Sequence, residues 1–231
     1  MSRERKVAML QPNYIPWKGV FDLIHRVDVF VFYDDVQYTK KDWRNRNIIP
    51  TKNGDVWLSV PVVTKGKRDQ RICDVEINKA EKWQDKHYRT LATTYAKAPY
   101  FDQYKYLLDD FYKDHEWDML SDMDIYMTKK IAGILGIDVE YVNASDYGFE
   151  GDKNGEKVLM LCKELGCDYF LNGPASKEFM DEDLFKEAGV ELDYMSYEYP
   201  EYKQLVRPFN HNVSVLDLLF NTGDEAPKYI W

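Results

Sequence analysis

The order of the apolar segments near the N-terminus restricts the fold of this chain more than any other feature. Val7–Leu10 is a short apolar run that ends at Gln11, and Val20–His25 has the apolar spacing of a short helix. Val29–Tyr33 follows as an unbroken run of β-branched and aromatic residues, which is typical of a strand buried on both faces of a parallel sheet. Strand, helix and strand in this order predict the beginning of a doubly wound α/β fold.

The middle of the chain has a different pattern. Val56–Val60 and Val75–Ile77 have the composition of strands on either side of a charged loop. From Trp83 to Tyr95, apolar or aromatic side chains recur every four positions, which predicts a helix with one buried face. Further helices are expected from Tyr104 to Leu135. The middle of the chain therefore predicts an insertion that is mainly helical.

The alternation of strands and helices returns in the last third of the chain. The predicted elements are a strand at Val139–Val142, a glycine-bearing loop at Tyr147–Gly155, a helix at Lys157–Leu165, and strands at Asp168–Leu171 and Leu192–Tyr197. We therefore predict a single domain, residues 1–231, with a Rossmann-like α/β fold, in which a doubly wound and mostly parallel sheet carries a helical middle insertion. In such folds ligands bind beyond the carboxyl ends of the strands.

Composition and charge exclude several classes of protein. The chain has 31 Lys and Arg residues against 40 Asp and Glu residues, and its net charge of −9 repels phosphates, so broad nucleic-acid binding is not expected. The cysteines, Cys73, Cys162 and Cys167, lack the spacing of a zinc site and fit a reducing compartment. No signal peptide and no run of about eighteen apolar residues is present, so we expect a cytoplasmic protein without a membrane span.

The motifs of four common enzyme classes are absent from the sequence. These are the P-loop, the dinucleotide-binding glycine motif, the nucleophile elbow of α/β-hydrolases and the HExxH motif of zinc peptidases. The 18 Tyr and 6 Trp residues suit a carbohydrate or nucleotide site. A Tyr-rich core explains them equally well, and a surface that joins two copies in a homodimer is a further alternative.

A stiff polar loop follows the first predicted strand. It reads Gln11-Pro12-Asn13-Tyr14-Ile15-Pro16-Trp17-Lys18-Gly19, and its two prolines fix backbone angles. A stiff loop at a strand end can hold polar side chains in one arrangement. We therefore predict substrate contacts from Gln11, Asn13, Tyr14 and Trp17. The alternative is a rigid connector whose aromatic side chains only fill the core.

A second candidate loop, residues 34–47, follows the second predicted strand. From Lys40 to Asn47 it has four basic residues and one acidic residue, a local charge of +3 in an acidic chain. Such a cationic segment predicts a site for a phosphate or carboxylate, which Arg can bind through two parallel hydrogen bonds. Asp34 or Asp35 could act there as a general base. The predicted substrate-binding residues of this loop are Gln37, Lys41, Trp43, Arg44, Asn45 and Arg46. The alternative is a surface turn whose charges pair locally.

Two other segments are candidates, each with a structural alternative. His87 shares a predicted helix face with Trp83 and Leu91, where a histidine is more often a core residue than a catalytic base. Asn172 and Gly173 follow a predicted strand and, with Ser176, could present a hydroxyl and backbone N–H groups to a ligand. A turn into a helix with Ser176 as its N-cap is an equally good interpretation.

These segments resemble the WbqC-like protein family. In chain order, the resemblance is carried by Gln11-Pro12-x-Tyr14-x-Pro16-Trp17-x-Gly19, Asp28-x-Phe30-Val31-x-x-Asp34-x-Val36-Gln37, Lys41-x-Trp43-Arg44-Asn45-Arg46, Lys86-His87, Ala98-Pro99, Asn172-Gly173-Pro174-Ala175 and Asp217-Leu218-Leu219-Phe220-Asn221. The segments span nearly the whole chain, and the first three are specific. Asn172 departs from the pattern, in which a small residue such as Ser is expected.

The resemblance implies a function in bacterial surface-polysaccharide synthesis. Members of the family are associated with gene clusters for O-antigen, the polysaccharide of lipopolysaccharide, and a role as a glycine or other aminoacyl transferase has been suggested for them. We therefore expect amide formation on an amino sugar that is linked to a nucleotide. The basic loop would hold the phosphates of the nucleotide sugar or the carboxylate of the donor. Asp34, Asp35 or His87 would take the proton from the attacking amine.

Two alternatives remain open on the sequence alone. The opening strand, loop, helix and strand also resemble nucleotidylyltransferase-like folds that form adenylates, and this would make the protein an ATP-dependent ligase. Those proteins carry a histidine motif after the first strand, and Tyr14–Trp17 has no histidine. The other alternative is a protein that binds a sugar nucleotide without altering it. No cofactor is required with certainty, and ATP or an activated acyl donor would fit.

Overall fold

A computed structural model describes residues 4–150 and 155–231 of the chain. These residues form two compact units, which we describe separately. The sheet unit comprises the described residues up to Gln11, Gly19–Asp35 and the described part of Ile137–Glu198. The helical unit comprises Pro12–Lys18, Val36–Gly136 and Tyr199–Trp231. The single domain expected from the sequence stays a prediction.

The described residues contain seven strands and seven α-helices. In chain order they are β1 (Lys6–Leu10), α1 (Lys18–His25), β2 (Val29–Phe32), β3 (Arg46–Thr51), β4 (Gly54–Ser59), α2 (Trp83–Tyr95), α3 (Phe101–Asp109), α4 (Leu120–Ile134), β5 (Glu140–Asn143), α5 (Glu156–Glu164), β6 (Tyr169–Asn172), α6 (Glu182–Glu187), β7 (Glu191–Tyr194) and α7 (Val215–Thr222). None of these helices has the length and apolar character needed to cross a membrane.

The sheet unit is built on five parallel strands in the order β5-β2-β1-β6-β7. Numbered by their sequence order within the sheet, this is 3-2-1-4-5, which is the central part of the dinucleotide-binding strand order. The Rossmann-like α/β fold predicted from the sequence is therefore confirmed. All four residues of β2 are buried, as its unbroken apolar run predicts.

The core of the sheet unit follows from strand alternation. Val7, Met9, Val29 and Val31 point to one face of the sheet. There they pack with side chains of α5 and α6 and with neighbouring apolar residues, among them Val158, Leu161, Cys162, Phe170 and Phe185. The intervening residues Phe30 and Phe32 contact Tyr141 of β5 through their rings. Apolar packing on both faces leaves the strand ends as the place for polar side chains.

The helical unit contains the predicted insertion. Trp83, His87, Leu91 and Tyr95 are all buried on one face of α2, as their four-residue spacing predicts. A single π-helical turn, Asp110–Asp114, follows α3, and α4 completes the helical segment. At the end of the chain, Ser214 caps α7 by accepting a hydrogen bond from the backbone N–H of Leu216. The helical character of the middle of the chain is therefore confirmed.

The small sheet of the helical unit differs from the prediction. β4 pairs with β3 in an antiparallel hairpin, whereas Val75–Ile77 joins no sheet and makes only isolated bridges through Glu76 and Ile77. β3 was not predicted, and it contains Pro50, a residue that is disfavoured in central strands. A two-stranded hairpin tolerates this proline, because each of its strands is an edge strand. Of the predicted loop at 147–155, residues 151–154 lie outside the described part of the chain.

Candidate functional site

The carboxyl ends of the central strands form the first candidate site, which lies in the sheet unit. The strand order reverses between β1 and β6, and ligands bind in doubly wound sheets at such a reversal. Gln11 directly follows β1, and Asp34 and Asp35 come shortly after β2. Asn172 is the last residue of β6, and Gly173 follows it. Predicted polar residues therefore occupy the ends of three adjacent parallel strands.

Asp34 is buried and held by one residue. Its Oδ1 accepts a hydrogen bond from the backbone N–H of Ser145 (2.9 Å), and its Oδ2 accepts one from the Ser145 hydroxyl (2.8 Å). Burial raises the pKa of Asp34, while the hydrogen bonds from Ser145 oppose this shift. Because each carboxylate oxygen already has a partner, Asp34 is suited to fixing the turn after β2.

Asp35 has one oxygen committed and one available. Its Oδ2 forms an ion pair with the Lys157 ammonium at 2.6 Å, and both side chains are almost completely buried. No described residue donates a hydrogen bond to Oδ1 of Asp35. Lys157 lies in the first turn of α5. A buried carboxylate with a matched counter-charge and one unused oxygen can accept a proton or a hydrogen bond from a ligand.

The turn after β6 uses its own polar groups internally. The backbone N–H of Gly173 donates to Asn172 Oδ1 (2.8 Å). The buried Ser176 donates to the carbonyl oxygen of Gly173 through its hydroxyl (2.7 Å) and through its backbone N–H (3.1 Å). Ser176 lies within a short 3₁₀ helix, Pro174–Glu178, and does not act as its cap. The predicted donors of this turn are therefore already engaged.

In the helical unit, Tyr14 and His87 belong to a buried hydrogen-bonded chain. The Tyr14 hydroxyl lies 2.8 Å from His87 Nδ1 and 2.5 Å from the Tyr112 hydroxyl. His87 also hydrogen bonds to the backbone of Ser59. Burial lowers the pKa of His87 to about 4, so the imidazole is neutral near pH 7. A neutral ring that donates to a carbonyl through Nε2 accepts from Tyr14 at Nδ1.

These hydrogen bonds lie in the interior of the helical unit, where Tyr14 and His87 are buried. Tyr14 is completely buried and His87 almost completely. Burial raises the pKa of Tyr14 well above its usual value, and the neighbouring Tyr112 adds to this shift. Asn47 closes the other side of the loop by donating to the carbonyl oxygens of Tyr14 (3.0 Å) and Ile15 (2.8 Å). The arrangement favours the core interpretation of both residues over substrate contact.

Arg44 is the half-buried cation of the basic loop. Its Nη1 donates to Asn13 Oδ1 (3.1 Å) and lies 3.5 Å from Asp42 Oδ1. Burial lowers the pKa of Arg44, and the charges of Asp42 and Asp124 oppose this shift. Asn45 has a structural contact, because its Nδ2 donates to the carbonyl oxygen of Val60 (2.8 Å). Of the predicted residues in this loop, Arg44 and Asn13 are thus joined directly.

The remaining residues of the loop lie nearer the surface. Gln37 donates to Asp69 Oδ1 (3.2 Å), and Lys41 is exposed with a positive φ of 58°. Trp43 and Trp57 are 40% and 43% exposed, and their ring centroids lie 5.4 Å apart. The Arg46 guanidinium lies 4.1 Å from the Trp57 ring. Two exposed indoles beside a guanidinium form a platform on which a flat or sugar ring can stack.

Trp17 and Lys18 lie against two tyrosines of the C-terminal segment. The rings of Trp17 and Tyr199 are 6.0 Å apart in an edge-to-face arrangement. The buried Lys18 ammonium is 4.9 Å from the Tyr199 ring and 5.4 Å from the Tyr202 ring, and it donates to the carbonyl oxygen of Pro200 (3.2 Å). Burial lowers the pKa of Lys18 to about 8. Lys18 was not among the predicted site residues.

Sequence reasoning missed four further residues of these clusters: Ser145, Lys157, Trp57 and Asp124. Only for two of them did the sequence contain a feature that could have indicated a site. Lys157 opens a helix after a glycine-bearing loop, where side chains often reach a ligand. Asp124 interrupts the apolar face of α4 between Leu120 and Met127. Ser145 and Trp57 come into place only through strand pairing. Among the described residues, no group of three or more His, Cys, Asp or Glu is placed to hold a metal ion.

The fold and the polar strand ends define a Rossmann-like α/β protein with a candidate ligand site at the reversal of its strand order. The chain belongs to the WbqC-like protein family, whose model matches residues 11–229. The uncharacterized protein Rv1507c of Mycobacterium tuberculosis (strain ATCC 25618 / H37Rv) is 40% identical over 227 residues, which are 98% of this chain and 97% of that protein. No solved structure matches the chain.

Proposed function

We propose that this protein is an acyltransferase that forms an amide on an amino sugar, with a glycyl or other acyl group as the group transferred. The acceptor is a nucleotide-linked amino sugar of bacterial surface-polysaccharide synthesis, such as that of O-antigen. The observation that carries the proposal is the buried Asp35–Lys157 ion pair, whose Asp35 Oδ1 has no partner among the described residues. Such a carboxylate at a strand end is suited to accept the proton of an amine.

The chemistry assigned to this pair is one nucleophilic substitution at an acyl carbon. The amine nitrogen of the sugar attacks the carbonyl carbon of an activated acyl donor, and a C–N bond forms. The bond from that carbon to the leaving group breaks, and the leaving group keeps the electron pair. The amine proton passes to Asp35 Oδ1, while Lys157 balances the charge of the carboxylate. Both oxygens of Asp34 accept hydrogen bonds from Ser145, so we assign Asp34 to fixing the turn after β2 and not to accepting the proton.

Two features of the helical unit support an anionic acceptor. The exposed Trp43 and Trp57 form a stacking platform, and Arg46 lies against Trp57. Base stacking on aromatic side chains is favourable and tolerant of base identity. The cationic loop around this platform complements the phosphates of a nucleotide sugar.

An adenylate-forming, ATP-dependent ligase is the second candidate function. The strand order 3-2-1-4-5 favours it, because sheets of this order bind nucleotides at the reversal between the first and fourth strands. In that reaction the carboxylate of the acyl group attacks the α-phosphorus of ATP and releases pyrophosphate, and the amine then attacks the acyl adenylate and releases AMP. The two candidates differ in whether AMP and pyrophosphate are released together with the amide product.

The test incubates the purified protein with amino-sugar nucleotides and activated glycine, and separately with ATP and glycine. Mass spectrometry should detect a sugar nucleotide heavier by one glycyl group. Asp35→Asn should strongly reduce the rate at which this product forms, whereas Asp193→Asn should not, because Asp193 accepts a hydrogen bond from the Tyr169 hydroxyl outside the site. AMP release that depends on the sugar would favour the ligase. Binding of the sugar nucleotide without any change under every donor would show a binding protein instead.

A further inference from the structure

Asp124, on α4 of the helical unit, is a completely buried carboxyl group, and no described residue hydrogen bonds to either of its oxygens. It occupies a position on the apolar face of α4, with Leu120 four residues before it and Ile131 seven residues after it. Burial of a polar group without a hydrogen bond is unfavourable, and an apolar residue of similar size would remove the penalty. The carboxyl group therefore calls for a partner that the described residues do not supply.

Four polar groups face Asp124 from three other segments of the helical unit. Its charge acts on the Arg44 guanidinium and on the hydroxyls of Tyr14, Tyr38 and Tyr112. None of them hydrogen bonds to it. These polar groups thus lie within the distance over which charge acts, but they do not hydrogen bond to the carboxyl group. A small polar ligand would supply the missing hydrogen bonds.

Arg44 links this carboxyl group to the surface of the helical unit. Its side chain is 16% exposed, and its Nη1 donates to Asn13 Oδ1 (3.1 Å) near Asp42, which is also half-buried. A guanidinium binds a carboxylate through parallel hydrogen bonds, and a carboxylate binds an ammonium. The half-buried Arg44 guanidinium complements the carboxylate of a zwitterion, and the buried Asp124 carboxyl group complements its ammonium.

We propose that Arg44 and Asp124 form a binding site for a small α-amino acid. The carboxylate of the ligand lies on Arg44, and its ammonium donates hydrogen bonds to the two oxygens of Asp124. This site goes beyond the proposed acyl transfer, because it is argued from Asp124 and Arg44 and does not depend on Asp35 acting as a base. Amino-acid binding without any amide product would overturn the proposed function and leave this inference standing.

Binding should be accompanied by the release of a proton. Burial raises the pKa of Asp124 well above its usual value, and the charge of Arg44 opposes that shift. Below this raised pKa the carboxyl group is protonated in the free protein, and it must lose the proton to accept hydrogen bonds from an ammonium. Tyr14, Tyr38 and Tyr112 all have raised pKa values and stay neutral, so the proton passes to solvent.

The first test is a thermal-shift screen of the full chain against the common amino acids, followed by titration calorimetry of those that stabilise it. At least one amino acid should bind, and acetate or methylamine, which each carry half of its charges, should bind far more weakly. Asp124→Asn should weaken the binding about tenfold to hundredfold, as expected when one charge-assisted hydrogen bond is lost. Calorimetry of the wild type in two mildly acidic buffers with different ionisation enthalpies reports the released proton.

Asp217→Asn is the matched control for the Asp124 substitution. Asp217 is as completely buried, but its Oδ2 accepts hydrogen bonds from Tyr202 (2.6 Å) and Gln204 (2.9 Å). Its replacement should lower stability and leave amino-acid affinity unchanged. The proposal is overturned if no amino acid stabilises the wild type, or if acetate or methylamine binds as tightly as the amino acid. Because this comparison of ligands needs no variant, it stands even where Asp124→Asn fails to fold.

Discussion

At the strand ends of the sheet unit, Asp34 and Asp35 have Ser145 and Lys157 as partners, whereas Asp124 in the helical unit has no hydrogen-bond partner among the residues that the structure describes. All three carboxyl groups are buried. The partners in the sheet unit orient their carboxylates before any ligand arrives. Within the described part of the chain, the charge of Arg44 is what stabilises the ionised form of the Asp124 carboxyl group. The carboxylates at the strand ends are therefore preorganised by their partners, whereas Asp124 is a buried polar group that a ligand would complete.

The largest effect should come from the pair in the sheet unit. Asp35→Asn should lower acyl transfer by roughly 10²–10⁴-fold, because the general base is lost. It should also destabilise the protein by about 3–5 kcal/mol, because Lys157 stays buried without its counter-charge. Product formation followed by mass spectrometry and unfolding in urea measure the two effects.

The double variant Asp35→Asn with Lys157→Met separates catalysis from stability. Removing both charges should restore most of the lost stability, since replacement of a buried ion pair by uncharged side chains is often neutral. Activity should remain as low as in the single variant. Activity of the double variant close to that of the wild type would remove Asp35 from the mechanism.

The buried, hydrogen-bonded His87 of the helical unit predicts that the stability of the protein depends on pH. The folded-state pKa of His87 is lowered to about 4 from its usual 6.5, so its contribution to stability is present above pH 6.5 and is lost as the pH falls towards 4. The size of this change is roughly 3 kcal/mol. His87→Gln cannot titrate, so its stability deficit at pH 7 should shrink by that amount at pH 4.

Urea unfolding of the wild type and His87→Gln at several pH values measures this difference. Other titrating groups are common to both proteins and largely cancel in the comparison. A deficit that stays constant from pH 7 to pH 4 would show that His87 is accessible and titrates normally in the folded protein. His87 would then return as a candidate catalytic base.

Arg44→Ala should have an intermediate effect, on binding rather than on the fold. The loss of one charge-assisted contact to a bound carboxylate or phosphate should weaken binding by roughly 1.5–3 kcal/mol. Lys40→Ala is the control, because Lys40 is an exposed cation of the same loop and exposed charges contribute about 1 kcal/mol or less. Equal losses in the two variants would mean that the loop acts only through its net charge. Titration calorimetry with the ligand found in the screens measures both.

Ser145→Ala should have the smallest effect and tests the role of Asp34. It removes the hydroxyl donor of Asp34 Oδ2 and leaves the backbone donor of Oδ1 in place. We expect a stability loss of about 1 kcal/mol and little change in activity, because Asp34 positions the turn. Thermal unfolding and the acyl-transfer assay check this. A large loss of activity in a stable variant would assign Asp34, rather than Asp35, to the reaction.

Local pattern determined most of the architecture of this protein. The apolar runs at Val7–Leu10 and Val29–Tyr33 correspond to β1 and β2, and the four-residue spacing of the Trp83–Tyr95 segment corresponds to α2. These patterns are legible because strands and helices bury side chains with fixed periods. The hairpin strand β3 was not predicted. It contains Pro50, which a strand tolerates only at the edge of a sheet, and the sequence does not show that β3 is an edge strand.

The candidate site was predictable only in part. Loops at the carboxyl ends of parallel strands are recognisable from the sequence, so Asp34, Asp35 and Arg44 were singled out. Which of them has a free hydrogen-bonding oxygen depends on partners far away along the chain, Ser145 and Lys157. The sequence favoured a site for Tyr14 and a core role for His87, and the burial of both side chains could not be predicted because it depends on packing in the helical unit.

By itself, the sequence determined the parallel α/β sheet, the helical insertion and the loops that carry charge, because these depend on local composition and period. Only the tertiary structure decided that, within the part of the chain it describes, both oxygens of Asp34 accept hydrogen bonds, one oxygen of Asp35 has no partner and neither oxygen of Asp124 has one. The physical reason is that hydrogen bonding and desolvation depend on which groups meet across more than a hundred residues, and no local pattern encodes those meetings.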